Sequence, residues 1–275
     1  MRVITLMEDK AHSGEFTAER GLSQYIETAK HKILFDMGPS GSFIANAEKL
    51  GVDLREVDIA VLSHGHSDHG GGLEAFCDVN HKADVFVNPE AFGDYYAVLP
   101  GKEPNYIGLS GELWRMENRM VPTAPGLKLG EELTFLGDIP NTFEWTPIVP
   151  KLQQKTADGF IRDEFRHEQH LLVNSWGKTA LFAGCAHGGI VNIVRAAEEA
   201  LGKRPDVVFA GFHLFELDPA DPKSMENLTA VGAELVRGDT VYYAGHCTGD
   251  WAFEVLHGIL GDRLRPMHAG TVVEL

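Results

Sequence analysis

Three things are scarce in this chain of 275 residues: cysteine, basic charge and long apolar runs. Cys77, Cys185 and Cys247 are an odd and sparse set, unlike the paired cysteines that staple small secreted domains, and are expected to be reduced. Lys and Arg number 24 against 40 Asp and Glu, a formal net charge of −16. A surface of that sign gives no net attraction to DNA, RNA or an anionic membrane. No stretch approaches the roughly 18 apolar residues of a membrane-spanning helix. Met1-Arg2 runs into the strand-like VITLM without the apolar segment of a secretory leader. The expectation is a cytoplasmic protein whose partner is a small molecule, not nucleic acid or membrane. What is present is ordinary globular composition, 44% hydrophobic and 23% charged. That is enough for one large α/β domain over residues 1–275, built as two fused halves.

Short apolar runs alternate with helical patterns along the chain. RVITLM (2–7), LSQYIET (22–28) and KILFDM (32–37) have the length and composition of strands. Residues 40–50 carry Phe43, Ile44, Ala47 and Leu50 at helical spacing, with Gly51 as the stop. VDIAVLSH (57–64) is a buried strand, whereas 88–125, rich in Pro, Gly and aromatics, predicts an elaborated loop region. After Leu133 the alternation resumes, with strands expected at 170–176, 178–184, 206–212 and 240–246 and helices at 190–201, 224–235 and 251–260. Two such halves of sheet with outer helices predict a four-layer αββα sandwich with pseudo-symmetric halves.

The chemistry concentrates in LSHGHSDHGGGL, where three histidines and an aspartate fall within six residues, directly after a buried strand and before three glycines. Imidazole nitrogen and carboxylate oxygen suit zinc, iron or manganese. His64 and His66, two apart, can point to one side, while Asp68 and His69 lie past the turn and can serve a second ion. Gly70, Gly71 and Gly72 let the backbone fold tightly against the site. Ligand-type residues recur wherever a strand of the second half ends: Cys185 and His187 after LFAG, His213 after VVFAG, His246 and Cys247 after VYYAG. Loops beyond strand ends are where rigid sheets place functional groups. Cys77 and Cys247 read as small buried side chains, and His12, His31, His81, His257 and His268 as surface or satisfied core histidines.

The string HxHxDHxGG resembles the metallo-β-lactamase superfamily, and ILFDMG resembles its first motif, with Asp36 at the strand end. GLSQYIET, ILFDMG, HEQHLLV, GCAHGGIVNI, GFHL and GHCTG, in that order from Gly21 to about Gly270, resemble the branch of dihydropterin-type ribofuranosylaminobenzene-phosphate synthases and related metal-dependent hydrolases. The resemblance implies the metallo-β-lactamase fold and a dinuclear site for two divalent transition metals, zinc first, with iron or manganese as alternatives. His64 and His66 would hold one ion; Asp68, His69 and His246 the other. One departure stands out: Gly184-Cys185 occupies the place where the superfamily has a bridging aspartate. Cys185, His187 or His167 could complete the site, with His187 preferred, and His170 is next by spacing after His167. Asp36 is expected to orient a metal-bound histidine, Asp68 to accept the nucleophile's proton as well as bind metal, and His213 to contact substrate. The implied activity is hydrolase-like, on a small anionic molecule, phosphate-bearing or pterin-related. Its alternatives are a synthase or transferase joining a dihydropterin to a ribofuranosylaminobenzene phosphate, and a non-catalytic metal-binding or redox module. The redox reading is disfavoured because the 275 residues hold no flavodoxin-like domain and Cys185 would be an unusual di-iron ligand.

Overall fold

The computed structural model describes residues 1–111, 118–147 and 149–275. The chain divides into two compact units. The first comprises Met1–Ala124, Ile148–Gln169 and His268–Leu275; the second comprises Pro125–Pro147 and His170–Met267. The halves expected from sequence are therefore not simple halves of the chain. Val272–Glu274 returns to pair antiparallel with Arg2–Met7, which gives the first strand a second neighbour and ties the C-terminus into the first unit.

The first unit is built on a seven-stranded sheet in the order Val272–Glu274, Arg2–Met7, Ser23–Glu27, Lys32–Phe35, Ile59–Val61, Asp84–Val87, Met120–Pro122. Pairing is antiparallel up to Lys32–Phe35 and parallel beyond it. Parallel neighbours need a crossover, and the helices Ser42–Lys49 and Leu73–Val79 supply it. Phe43 and Ala47 of the first helix and Leu73 and Phe76 of the second bury against Leu34, Ala60, Leu62 and Val85 in one core. Ile44 and Leu50, expected on the same face as Phe43, pack at the margin of that core. The helix stops at Lys49, and Gly51 follows at φ +70°.

The expected loop at 88–125 is only partly a loop, and its residues 112–117 lie outside the described residues. Met120–Pro122 is the edge strand of the main sheet, and the proline is tolerated because an edge strand leaves one side of its ladder unpaired. Tyr95–Ala97 and Asn105–Tyr106 join the hairpin of Leu152–Thr156 and Gly159–Arg162 in a separate four-stranded sheet. These strands are short and mostly half-exposed, so the apolar alternation that marks a strand was absent from their sequence.

The second unit repeats the plan. Its seven-stranded sheet runs Leu264–Pro266, Val241–Gly245, Val207–Gly211, Lys178–Ala183, Gln169–Ser175, Leu133–Gly137, Lys128–Leu129. The first four of these strands are parallel. The helices Ile190–Leu201, Pro222–Leu235 and Asp250–Leu260 connect them and bury Ile193, Val194, Leu228, Val231 and Leu256 on that sheet. In both units the parallel strands end at one edge of their own sheet, which is where α/β sheets place their chemistry. Among the described residues no helix is long and apolar enough to cross a membrane.

Candidate metal centre

In the first unit, Lys32–Phe35 delivers Asp36 and Ile59–Val61 delivers Ser63 and His64. Asp36 is fully buried and held at φ +59°, a left-handed conformation costly for a residue with a Cβ and retained when surrounding bonds enforce it. The bonds are there: the Asp36 carboxylate accepts from Ser63 N at 2.7 Å, Ser63 Oγ at 2.7 Å and His69 Nδ1 at 2.6 Å. The contact expected of Asp36, to the far nitrogen of a ligand-type histidine, is therefore made, and to His69.

This network assigns ring protons. His69 donates from Nδ1 to a carboxylate, so its Nε2 is the unprotonated nitrogen. Ser63 Oγ gives its proton to Asp36, so toward His64 Nδ1, 2.8 Å away, it accepts. His64 therefore also carries its proton on Nδ1 and presents Nε2 as a lone pair. That Nε2 lies 3.1 Å from Nδ1 of His66, whose own Nε2 faces Asp163 Oδ2 at 3.9 Å. With His64 Nε2 unprotonated, His66 Nδ1 is the donor of this hydrogen bond, and giving up that one proton would leave both nitrogens free to hold one ion. Two nitrogens on one tetrahedral ion with ~2.0–2.1 Å bonds stand roughly 3.3 Å apart. His64, Asp68 and His69 bring one ligand atom each within 4.8 Å of one another. The donor set fits a divalent transition metal.

Asp68 and His69 sit on the single helical turn Ser67–Gly70, followed by the glycines singled out in the sequence. A Cβ on Gly72 would run into the carbonyl oxygens of Met37 and Ser40, so the turn packs as closely as it does only because no side chain is there.

His167, expected by spacing as the third histidine of the first site, stands with His66 and Asp163, one ligand atom of each lying within 4.8 Å of the others. Its Nδ1 accepts from the backbone N–H of Gly65 at 2.9 Å and its Nε2 meets Asp163 Oδ2 at 3.1 Å, so both ring nitrogens are in use. Neither His167 nor His170 is a surface residue; both are buried. Burial pushes His170 down to about 3. Asp163, 2% exposed, was not singled out in the sequence. Its only mark there was an Asp four residues before a His. Burial pushes its carboxyl up, but contacts with His167 and His66 and the N–H of Phe165 hold it well below the usual carboxylate range. Burial pushes the His66 imidazole down, with Asp163 acting against it.

In the second unit the parallel strands deliver Cys185, His213 and His246 at their ends, with Ala186, His213 and His246 at φ +55°, +50° and +45°. Non-glycine residues in this region concentrate where structure serves a site. The ligand atoms of Cys185, His213 and Cys247 lie within 4.8 Å of one another, and the His187 and His213 rings are 4.2 Å apart. Burial raises the Cys247 thiol, but the contact with Cys185, the charge of His246 and the contact with His213 take it well below its ordinary value. Cys247, taken from sequence as a small buried side chain, is buried but stands among ligand-type residues. His12 and His81 are exposed, and His31 pairs with Asp58 at 2.9 Å.

Strand-end histidines and carboxylates on this α/β plan, which is that of the metallo-β-lactamase fold, could hold a metal ion. Residues 17–126, which contain Asp36 and the whole His64 to His69 cluster, match the metallo-beta-lactamase superfamily. Over its full length it is similar to 7,8-dihydropterin-6-methyl-4-(beta-D-ribofuranosyl)-aminobenzene-5'-phosphate synthase of Methanocaldococcus jannaschii, at 25% identity and covering 96% of that protein. The crystal structure of a metal-dependent hydrolase of the beta-lactamase superfamily matches 100% of this chain and 99% of its own, with 26% identity and a TM-score of 0.83. Zinc-bound PqqB from Methylobacterium extorquens shares the fold at 12% identity and a TM-score of 0.58, with 100% of each chain covered. Members of this superfamily are largely enzymes and generally bind divalent metals.

Proposed function

We propose that the protein is a metal-dependent, hydrolase-like enzyme acting on a small anionic molecule, phosphate-bearing or pterin-related. The proposed ligands for two ions are His64, His66, Asp68 and His69 in the first unit, and His187 and His246 in the second. The observation that carries this reading is the proton assignment imposed by Asp36 and Ser63, which turns unprotonated nitrogens of His64 and His69 away from the network. Nitrogen and carboxylate donors favour zinc, with iron or manganese as alternatives. A divalent ion held by these residues would supply a water of lowered pKa and polarise a substrate oxygen. Asp68 then accepts the nucleophile's proton, Asp36 keeps His69 oriented, and His213 contacts substrate. Cys185 is a packed neighbour, and His187 takes the ligand role left by the missing carboxylate. The net charge of −16 does not oppose an anionic substrate, because inside the site the ion's own charge dominates.

The second reading is a synthase, favoured by the name of the Methanocaldococcus relative. It is separated from hydrolysis by supplying a dihydropterin with a ribofuranosylaminobenzene phosphate on one side and simple phosphoesters on the other. Turnover of either kind that disappears on chelation excludes a non-catalytic or redox module. The founding test is metal content: roughly one to two transition-metal ions per purified chain, with at least one equivalent lost in His64→Ala/His66→Ala. Unchanged content in that variant would refute the centre.

A further inference from the structure

We propose that Asp163, buttressed by His167, is a positioning residue for the metal ligand His66: its Oδ2, 3.9 Å from His66 Nε2, favours the ring proton on that nitrogen and so leaves Nδ1 for the ion. The inference rests on the metal centre proposed above and adds to it a carboxylate supplied from a distant stretch of the first unit. The chain of protons can be followed atom by atom. The Gly65 N–H donates to His167 Nδ1 at 2.9 Å, which makes Nδ1 the lone-pair nitrogen and puts the ring proton on Nε2. That proton points at Asp163 Oδ2, 3.1 Å away. The other oxygen, Oδ1, accepts from the Phe165 N–H at 2.7 Å, so the carboxylate cannot rotate. Oδ2 is then presented to His66 Nε2 at 3.9 Å, with both side chains almost fully buried.

The same segment grips the ligand loop along its backbone. Gln169 donates from its N–H to the Ser63 carbonyl and from Nε2 to the Leu62 carbonyl, each at 2.7 Å. Leu62 to His66, the stretch that carries two ligands, is thus held at two carbonyls, one amide and one imidazole by residues 163–169. A role confined to packing leaves a charge to explain. A buried carboxylate is costly unless it is paired, and among the described residues the ion-pair partners of Asp163 are two imidazoles, neither of them a fixed cation. A cation on His66 Nδ1 supplies the missing positive charge one ring away. Metal-bound histidines commonly pass their second N–H to a carboxylate in this way. His66, Asp163 and His167 offer one ligand atom each within 4.8 Å of one another; in the positioning role the Gly65 N–H occupies His167 Nδ1 and the Nε2 proton is directed at Asp163.

The experiment compares cobalt(II) binding to the full chain for wild type, Asp163→Asn and His64→Ala, by competition with a chelator and by visible spectrum. Asp163→Asn is expected to bind about 10- to 100-fold more weakly, with an altered spectrum. A purely structural role would lower the melting temperature of the metal-free protein yet leave affinity and spectrum of the folded protein unchanged, and that outcome overturns the proposal. If His64→Ala binds like wild type, the centre itself is wrong. If His64→Ala loses metal and Asp163→Asn does not, the centre stands and only the positioning role falls. A measurement that needs no variant guards against misfolding: in the zinc-loaded wild type, the His66 Nε2 proton gives a downfield, exchange-protected NMR signal. Its absence also overturns the proposal.

Discussion

Replacing Asp36 by asparagine tests the network that assigns the histidine protons, and its magnitude can be worked out from three bonds. The carboxylate takes Ser63 N on Oδ1, and Ser63 Oγ and His69 Nδ1 on Oδ2. Asparagine has one acceptor oxygen. If that oxygen lies at the Oδ2 position, the NH2 faces the Ser63 N–H; if it is turned over, the NH2 faces Ser63 Oγ and His69. The better orientation leaves one buried donor without an acceptor, costing about 1–3 kcal/mol, and lowers the other two bonds from charge-assisted to neutral strength, for a total of about 2–4 kcal/mol. Urea unfolding of the metal-free protein followed by circular dichroism reads that loss. Without the carboxylate, the His69 proton is no longer held on Nδ1, and metal affinity should fall by about 10- to 100-fold in a chelator competition. Metal-free stability within about 0.5 kcal/mol of wild type, together with unchanged metal affinity, would refute the assignment, since changes of that size are ordinary at uninvolved surface positions.

Gly65→Ala should destabilise by about 1–3 kcal/mol and weaken metal binding, because a Cβ there meets the backbone of Ala91 beside both ligands; Gly14→Ala, into open space, is the unaffected control. Acid should destabilise the metal-free protein through His170. Its folded value of about 3 lies below the ordinary 6.5, so from pH 6.5 down to pH 3 the unfolded chain binds a proton that the folded one does not. Stability is then lost as pH falls through that window, at up to about 1.4 kcal/mol per unit. Urea unfolding at pH 7 and pH 5 should show a loss of about 2 kcal/mol that His170→Leu does not suffer; equal losses in the two proteins would contradict it.

The elements with strong periodicity were legible. Ile190–Leu201 has the bounds expected of it, because its apolar residues repeat at helical spacing and a glycine stands on each side, Gly189 before and Gly202 after. The strands that carry the ligand-type residues were legible because parallel strands are covered on both faces and appear as continuous apolar runs. The four-stranded sheet was not, because half-exposed strands of two to five residues lack that signal. The surroundings of His167 were hidden for a related reason. Sequence spacing shows that a histidine precedes a strand, but not that the Gly65 amide, 102 residues away along the chain, has already taken its Nδ1.

The two units bring ligand-type residues to a sheet edge by different economies of sequence, and this explains why one was far easier to recognise. In the first unit a single strand end and one helical turn carry His64, His66, Asp68 and His69, so local geometry alone sets their spacing and the string is compact enough to read directly. In the second unit each parallel strand contributes separately: Cys185 after Lys178–Ala183, His213 after Val207–Gly211, His246 and Cys247 after Val241–Gly245. The intervals between them are whole helices, whose lengths answer to core packing and not to chemistry. A spacing rule cannot find such a set, but backbone conformation can. Ala186, His213 and His246 all adopt positive φ immediately after or within two residues of a strand-end glycine. A strand must turn sharply there to lift its next side chain to the sheet edge, and a turning residue that carries a Cβ is held in that conformation by the structure around it.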